Sequence, residues 1–316
     1  MKRLPANWWI FWLVRARTRL VQHSALLNSI NVFPVPDADT GANLVATVGR
    51  AADAAGMADD PNFAAAARTA LRGARGNSGT LVSVWLLGLA TELESVQEPT
   101  AAQLSAAWVA AHERAHAALN QPAEGTVLTL TAALTQVQVT EDLDIYLPAL
   151  LEAAEAATRS TATADHARNG WVDAGALGVL LMVEQLVSTA LNQPVTDSYA
   201  DLLQPPATDV QATARGLRPG KKGEPTCEVM CEIHLPVYEV TQLRSALSQV
   251  GDSVSVAQVE AGNEALWAIH VHVAHQQDAL DVLQAAGQPL NLRVTSLTAG
   301  DHPHHTSPAH PANDLS

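Results

Sequence analysis

The chain has 316 residues, 47% hydrophobic and 16% charged, enough for one large or two modest domains with buried cores. Its 32 acidic and 18 basic residues give a net charge of −14, and so acidic a surface repels phosphate backbones and argues against a nucleic-acid partner. ATP stays open where metal ions stand between carboxylates and phosphates, and two cysteines, Cys227 and Cys231, fit a reducing, cytoplasmic compartment without a disulfide framework.

The first element holds the apolar run "NWWIFWLV" behind Lys2 and Arg3. It is far shorter than the ~20 apolar residues of a membrane span. "RARTRL" follows where a signal peptide would place a small-residue cleavage site. The run therefore predicts a buried first helix over 6–29, with interfacial contact through Trp8, Trp9 and Trp12 as the alternative. Seven more helices follow from the pattern, over 41–56, 62–72, 78–94, 101–120, 125–137, 141–159 and 173–192. Short polar breaks between Ala/Leu-rich helices imply antiparallel neighbours, hence a bundle or helical barrel. "QPPATDVQATARGLRPGKKGEP" reads as a linker. The grammar then changes to strand, helix, strand, strand, helix, strand, the split βαβ order of a small α+β domain. The expected division is a helical domain over 1–203, a linker over 204–223, an α+β domain over 224–299 and a disordered His/Pro-rich tail over 300–316.

The chemistry points to "NSINVFPVPDADTGANL", residues 28–44. Pro34 and Pro36 fix two φ angles and hold the segment extended. Residues two apart then project to one side, so Asp37 and Asp39 make a pair of carboxylates on a stiff support. Oxygen ligands without Cys or His nearby suit Mg²⁺, which completes its shell with water and phosphate oxygens. Gly41 opens a helix whose free N–H groups favour anions. The plainer alternative is that Asp37 or Asp39 only caps that helix. "RGARGNSGTL" at 72–81, "EGTVLTL" from Glu124 and "GWVDAGALGVLL" with Asp173 at an N-cap are further Gly-containing helix starts. Converging with the aspartates, they would cradle phosphates on bare N–H groups.

In order and spacing these four motifs resemble the dihydroxyacetone kinase L-type (DhaL) domain family, and the Pro-Val-Pro-Asp form resembles its fatty acid kinase branch. "GEPTCEVMCEIHL", "VGDSVSV", "ALWAIHVHV" and "LNLRVTSL" resemble the middle domain of the catalytic chain of fatty acid kinase. The resemblance implies an eight-helix barrel with ADP or ATP at its mouth and two Mg²⁺ ions. It carries over Asp37 and Asp39 as catalytic metal ligands, with Asn31 where the dihydroxyacetone kinases have a third carboxylate. Thr40, Gly41, Asn43, Asn77, Ser78, Gly79, Thr126, Asp173 and Gly175 carry over as nucleotide contacts. Ala38 stands where the fatty acid kinase branch usually has Gly, although the dihydroxyacetone branch accepts Ala. Relatives that bind zinc through a Cys and an H-V-H pair make Cys227, His270 and His272 a candidate Zn²⁺ site.

The expected function is an ATP-dependent kinase subunit in phospholipid metabolism. Its acceptor would be a fatty acid carboxylate presented by a separate DegV-type protein. Phosphoryl transfer needs positioning and electrostatics more than a protein nucleophile, and no Ser-His-Asp or Cys-His grouping stands out. The sequence ends before the DegV-related third domain usual in the fatty acid kinase branch, and that favours a rival class, a non-catalytic Mg-nucleotide sensor or scaffold. A glycerone kinase-like phosphotransferase is the third reading, weakened by the want of a segment matching that enzyme's substrate-holding domain. No membrane span is expected, and a homodimer is left open.

Overall fold

The structure, a computed structural model, describes residues 3–31, 38–163, 171–194, 198–204 and 225–297. Asp37, nearly all of the expected linker and the His/Pro-rich tail lie outside them.

The first part is helical: α1 (Trp8–Ser29), α2 (Thr40–Met57), α3 (Phe63–Arg72), α4 (Gly76–Glu92), α5 (Ala101–Ala118), α6 (Val127–Thr135), α7 (Leu143–Ser160) and α8 (Ala174–Leu191). Each helix packs on the next in the chain, and α8 returns against α1. Alternate helices also meet, with α2 touching α4 and α8, and α6 touching α8. In such an up-and-down array every second helix starts at the same end. The N-termini of α2, α4, α6 and α8 are thereby brought to one end of the unit.

The tryptophan-rich start of α1 is core. Trp8, Trp9, Trp12 and Leu13 are all buried, and Trp12 donates its indole N–H to the Met182 carbonyl of α8 at 2.7 Å. Trp9 stacks on Phe63 at 4.9 Å, Trp85 stacks on Trp108 at 5.6 Å, and Trp12 meets Trp85 edge-on. At ~150–250 Å² each, three buried tryptophans contribute up to roughly 4–6 kcal/mol apiece before ordering costs, which explains the choice of core over interface. α8 is apolar and long enough to cross a membrane by composition, yet 83% of it is buried among the other helices. One ion pair stiffens the α1–α8 contact: Arg19 donates to the buried Glu184 at 3.0 Å.

The second part runs β1 (Cys227–Leu235), α9 (Val237–Val250), β2 (Gly251–Glu260), β3 (Ala265–Val273), α10 (Gln276–Ala286) and β4 (Leu290–Ser296). The sheet order is β2-β3-β1-β4, with every pair antiparallel. Strand alternation sorts the side chains. Cys227, Val229, Cys231, Ile233, Trp267, Ile269 and Val271 face α9 and α10, and Leu243, Leu247 and Leu283 close that core. The opposite face turns to the helical part, so that Ala257, Val259, Leu266 and Ala268 join the core of the helices. With both its faces covered, β3 is buried at every position.

Candidate functional site

Two of the four sequence motifs meet directly at the start of α2 and α4. The hydroxyls of Thr40 and Ser78 lie 3.1 Å apart. A Cβ added at Gly76 would stand 2.3 Å from the Asn43 amide nitrogen and 3.8 Å from an Asp39 carboxylate oxygen. Gly76 has φ +62°, a left-handed turn that L side chains resist, so the sequence needs glycine there on two counts. A Cβ at Gly79 would meet the Thr47 hydroxyl at 2.7 Å, which keeps α4 pressed on α2. At Gly41 the obstacle would be the Ser24 carbonyl at 2.3 Å, because α2 begins hard against α1.

Asp39 is the N-cap residue of α2, but its carboxylate makes no capping bond to its own helix. That role passes to Asn28 of α1, whose side-chain oxygen accepts from the Ala42 N–H at 3.1 Å. One carboxylate oxygen of Asp39 instead lies near the start of α4, 3.8 Å from where a Cβ on Gly76 would stand. Asn43 is 6% exposed, and its side-chain nitrogen is a buried donor without a hydrogen-bond partner. A buried amide donor left unmade costs about 1–3 kcal/mol, so a ligand acceptor fits here. Asn77 and Ser78 are half-buried beside it. Asn31 is buried just past α1, its backbone N–H directed to the Asn28 carbonyl at 3.4 Å. Ala38 has φ +57°, a conformation glycine adopts without strain.

The other two motifs meet each other. Thr126 caps α6, accepting from Leu128 N–H at 3.2 Å, behind Gly125 at φ +75°. Asp173 caps α8, accepting from Ala176 N–H at 2.8 Å. A Cβ at Gly175 would lie 3.5 Å from the Val127 Cβ, so the starts of α6 and α8 are in contact. Gly178 packs on Leu44, tying α8 to α2.

A second polar cluster sits on the sheet face that turns toward the helices. Ligand atoms of Glu228, His270 and His272 all lie within 4.8 Å of one another, and all three residues are buried. Glu228 faces His272 across the β1–β3 ladder and reaches His270 on the diagonal. Cys227 is on the opposite face, its thiol donating to the Val273 carbonyl at 3.5 Å, and burial raises its pKa. Of the expected zinc ligands, the structure thus brings His270 and His272 together but sets Glu228, not Cys227, beside them. A two-residue periodicity makes this sharp: one position along a strand reverses the face.

The hydrogen bonds around His270 show what the cluster can hold. Its Nδ1 faces the Ser253 carbonyl at 3.1 Å, an acceptor only, so Nδ1 carries the proton. Ser253 has φ +53° within the irregular pairing of β2 with β3, which aims that carbonyl inward. The Nε2 lone pair then faces a Glu228 carboxylate oxygen at 2.8 Å. Two acceptors at that distance need a proton or a cation between them. Burial alone would raise the Glu228 carboxyl; the His270 hydrogen bond and the charges of His270, His272 and Arg293 outweigh it and leave its pKa lowered. Burial first, then His270, pushes the His272 imidazole down to about 3, and its Nδ1 makes no hydrogen bond, standing 3.8 Å from an Asp252 carboxylate oxygen. A neutral imidazole, a second imidazole and an ionised carboxylate suit a divalent transition metal.

Family comparison matches residues 34–188 to the DAK2 domain and residues 225–303 to the FakA-like middle domain of fatty acid kinase. Protein YloV of Bacillus subtilis (strain 168) is 26% identical over 299 residues, covering 88% of this chain and 53% of its own. Uncharacterized protein SSP1546 of Staphylococcus saprophyticus is 25% identical over 301 residues, covering 90% of this chain and 54% of its own. The chain spans about half the length of the curated relatives it matches. Among solved structures, the dihydroxyacetone kinase from C. freundii in complex with AMP-PNP and Mg²⁺ shares 18% identity at a TM-score of 0.46, covering 60% of this chain and 35% of that one.

Proposed function

Because this chain belongs to the DhaL-type family and carries a DAK2 domain followed by a FakA-like middle domain, we propose that it is the Mg·ATP-binding subunit of a kinase. The observation that carries this reading is the convergence of the α2 and α4 N-termini on Asp39 and on the unpartnered amide of Asn43. Asp39, together with Asp37, would hold Mg²⁺, and Mg²⁺ neutralises the charge that builds on the phosphates as the γ-phosphoryl leaves. The free N–H groups at the starts of α2 and α4 bind the phosphate oxygens. The hydroxyls of Thr40 and Ser78 and the Asn43 amide donate to the same group, while Gly76 and Gly79 let the start of α4 come close enough to Asn43 and Thr47 of α2 to bring these donors together. Thr126, Asp173 and Gly175 border the nucleotide from the α6 and α8 side.

The acceptor in this reading is a fatty acid carboxylate presented by a separate DegV-type protein. Support comes from the kind of middle domain the chain carries. The same reading gives that domain a structural zinc-type ion at Glu228, His270 and His272, with Cys227 outside the ligand set. Purified protein mixed with Mg·ATP and a fatty-acid-loaded DegV-type protein should form ADP and an acyl phosphate. Tight Mg·ATP binding without transfer to any such partner would sink the kinase reading and leave a nucleotide sensor.

A further inference from the structure

The loop between α3 and α4, residues 73–75, immediately precedes Gly76-Asn77-Ser78-Gly79, and it is held from outside the helical part. Arg293 of β4 donates from Nη2 to the Ala74 carbonyl at 3.0 Å and to the Arg72 carbonyl at 3.4 Å. The Arg72 carbonyl is an acceptor left over where α3 ends, a place that favours a guanidinium, and the Ala74 carbonyl belongs to the loop itself. The side chain of Arg72 reaches the other way, pairing with Glu260 and, at 3.7 Å, with Glu232. Arg50 of α2 lies on Gly73, where an added Cβ would stand 2.4 Å from its Cδ. Beyond the loop, Gly76 turns at φ +62° against Asn43 and Asp39. The backbone that starts α4 is therefore clamped between a sheet residue on one side and the Asp39–Asn43 end of α2 on the other.

Arg293 is half-buried, and its pKa is lowered, first by burial and then by Arg75 and Arg50. Holding a guanidinium there against two others costs free energy that the carbonyl bonds and the nearby Glu228 and Glu232 offset. Other bonds between the parts, from Arg114 Nη2 of α5 to the Gln258 carbonyl at 2.6 Å and from the Asn120 N–H to the Val254 carbonyl at 3.1 Å, end on β2 and do not touch the loop. Docking of the sheet could rest on contacts of that kind alone, which sets the pair of bonds from Arg293 apart.

We propose that Arg293 is a positioning residue for nucleotide binding: from β4 it fixes the loop before α4, so that the N–H groups of residues 76–79 are aimed before phosphates arrive. The proposal rests on the Mg·ATP reading of this end, and it makes the second domain part of the phosphate site. Preorganised donors bind more tightly because the ordering cost is met in advance.

The test is Mg·ATP titration and backbone hydrogen exchange, without nucleotide, on the full chain and on Arg293→Met, Arg293→Lys and Arg114→Met. Arg293→Met should weaken Mg·ATP by about 10-fold, a factor worth ~1.4 kcal/mol. It should also speed exchange of the amides of 74–79 while the rest of the helical part keeps its protection. Arg293→Lys should recover part of both, since one nitrogen serves both carbonyls in the native protein. Arg114→Met should change neither by more than about 2-fold. The loss in Arg293→Met should persist at about 0.5 M salt, where a simple charge attraction would be screened away. Unchanged loop exchange in Arg293→Met overturns the proposal. So does an equal loss in Arg114→Met, which would reduce the effect to general docking of the sheet. A loss that vanishes at high salt overturns it too, by making Arg293 a direct attractor of phosphate. Native protein that takes up no Mg·ATP would instead overturn the nucleotide reading, and the exchange measurement would still decide whether Arg293 holds the loop.

Discussion

The helical end and the sheet face gather polar groups in opposite ways. At the helical end the donors are mostly backbone N–H groups, presented by the starts of α2, α4, α6 and α8 with glycines between them. On the sheet face three side chains turn their lone pairs toward one another among buried neighbours. The first arrangement suits a large anion with diffuse charge, because many weak dipoles share the work. The second suits a compact cation, because a few strong donors of electron pairs must converge within a few ångströms. Each fails by a different route: the first by a blocked approach or a lost carboxylate, the second by losing any one ligand.

Asp39→Asn is the hardest blow to the helical end. Turnover with a loaded partner should fall ~10²-fold or more, while some nucleotide affinity survives on the N–H groups. Acyl-phosphate formation reads the first and calorimetric titration the second; turnover within a few-fold of the native rate would remove Asp39 from the chemistry. On the sheet face, Glu228→Gln should lower metal affinity by at least about 10-fold, while Cys227→Ala should leave it unchanged. Metal content after dialysis against a weak chelator distinguishes them, and the reverse pattern would restore the cysteine to the ligand set.

Gly79→Ala tests the close approach of α4 to α2. Thr47 can turn its hydroxyl aside, so the cost should be at the low end, about 1 kcal/mol, or a fall in Tm of roughly 2–4 °C. Gly56→Ala, with nothing within 4 Å of its added Cβ, should instead raise Tm slightly. If both lower Tm alike in a thermal melt, the contact with Thr47 is not what distinguishes Gly79. The smallest effect should come from Ala38→Gly. Relieving a left-handed alanine gains about 1 kcal/mol, and the added freedom of the unfolded chain takes back about 0.4–1 kcal/mol. Denaturant midpoints should therefore barely move, and a loss of more than about 1 kcal/mol would show that the alanine methyl has a packing role.

The helices were readable because their signals are local. The expected 41–56 and 101–120 are observed as Thr40–Met57 and Ala101–Ala118. The expected 125–137 shortens to Val127–Thr135, since Gly125 takes positive φ and Thr126 becomes the cap. The first helix of the α+β part runs Val237–Val250 with Pro236 at its N-cap, and its buried stripe is Val240, Leu243 and Leu247. The motif residues Thr40, Asn43, Ser78, Thr126 and Asp173 could be picked out as helix starts one at a time. The parts played by Asn28, Thr47 and Arg293 could not, although Asn28 and Arg293 lie within marked stretches, because their partners stand on other elements. Each matters only through what another element sets beside it.

The amino-acid order by itself determined which segments are helix or strand, which helix starts carry glycines and small polar residues, and that Asp39 leads one of them. Hydrophobic period, capping residues and turn residues act over a few positions, so they survive without a tertiary frame. Tertiary structure alone decided that Glu228 faces His270 and His272 while Cys227 faces away, because strand register assigns the faces and His270 and Glu228 are 42 positions apart. It also decided that Arg293, far along the chain, binds the carbonyls of Arg72 and Ala74. Such contacts depend on where two separately folded layers come to rest, and that follows from shape and burial summed over both.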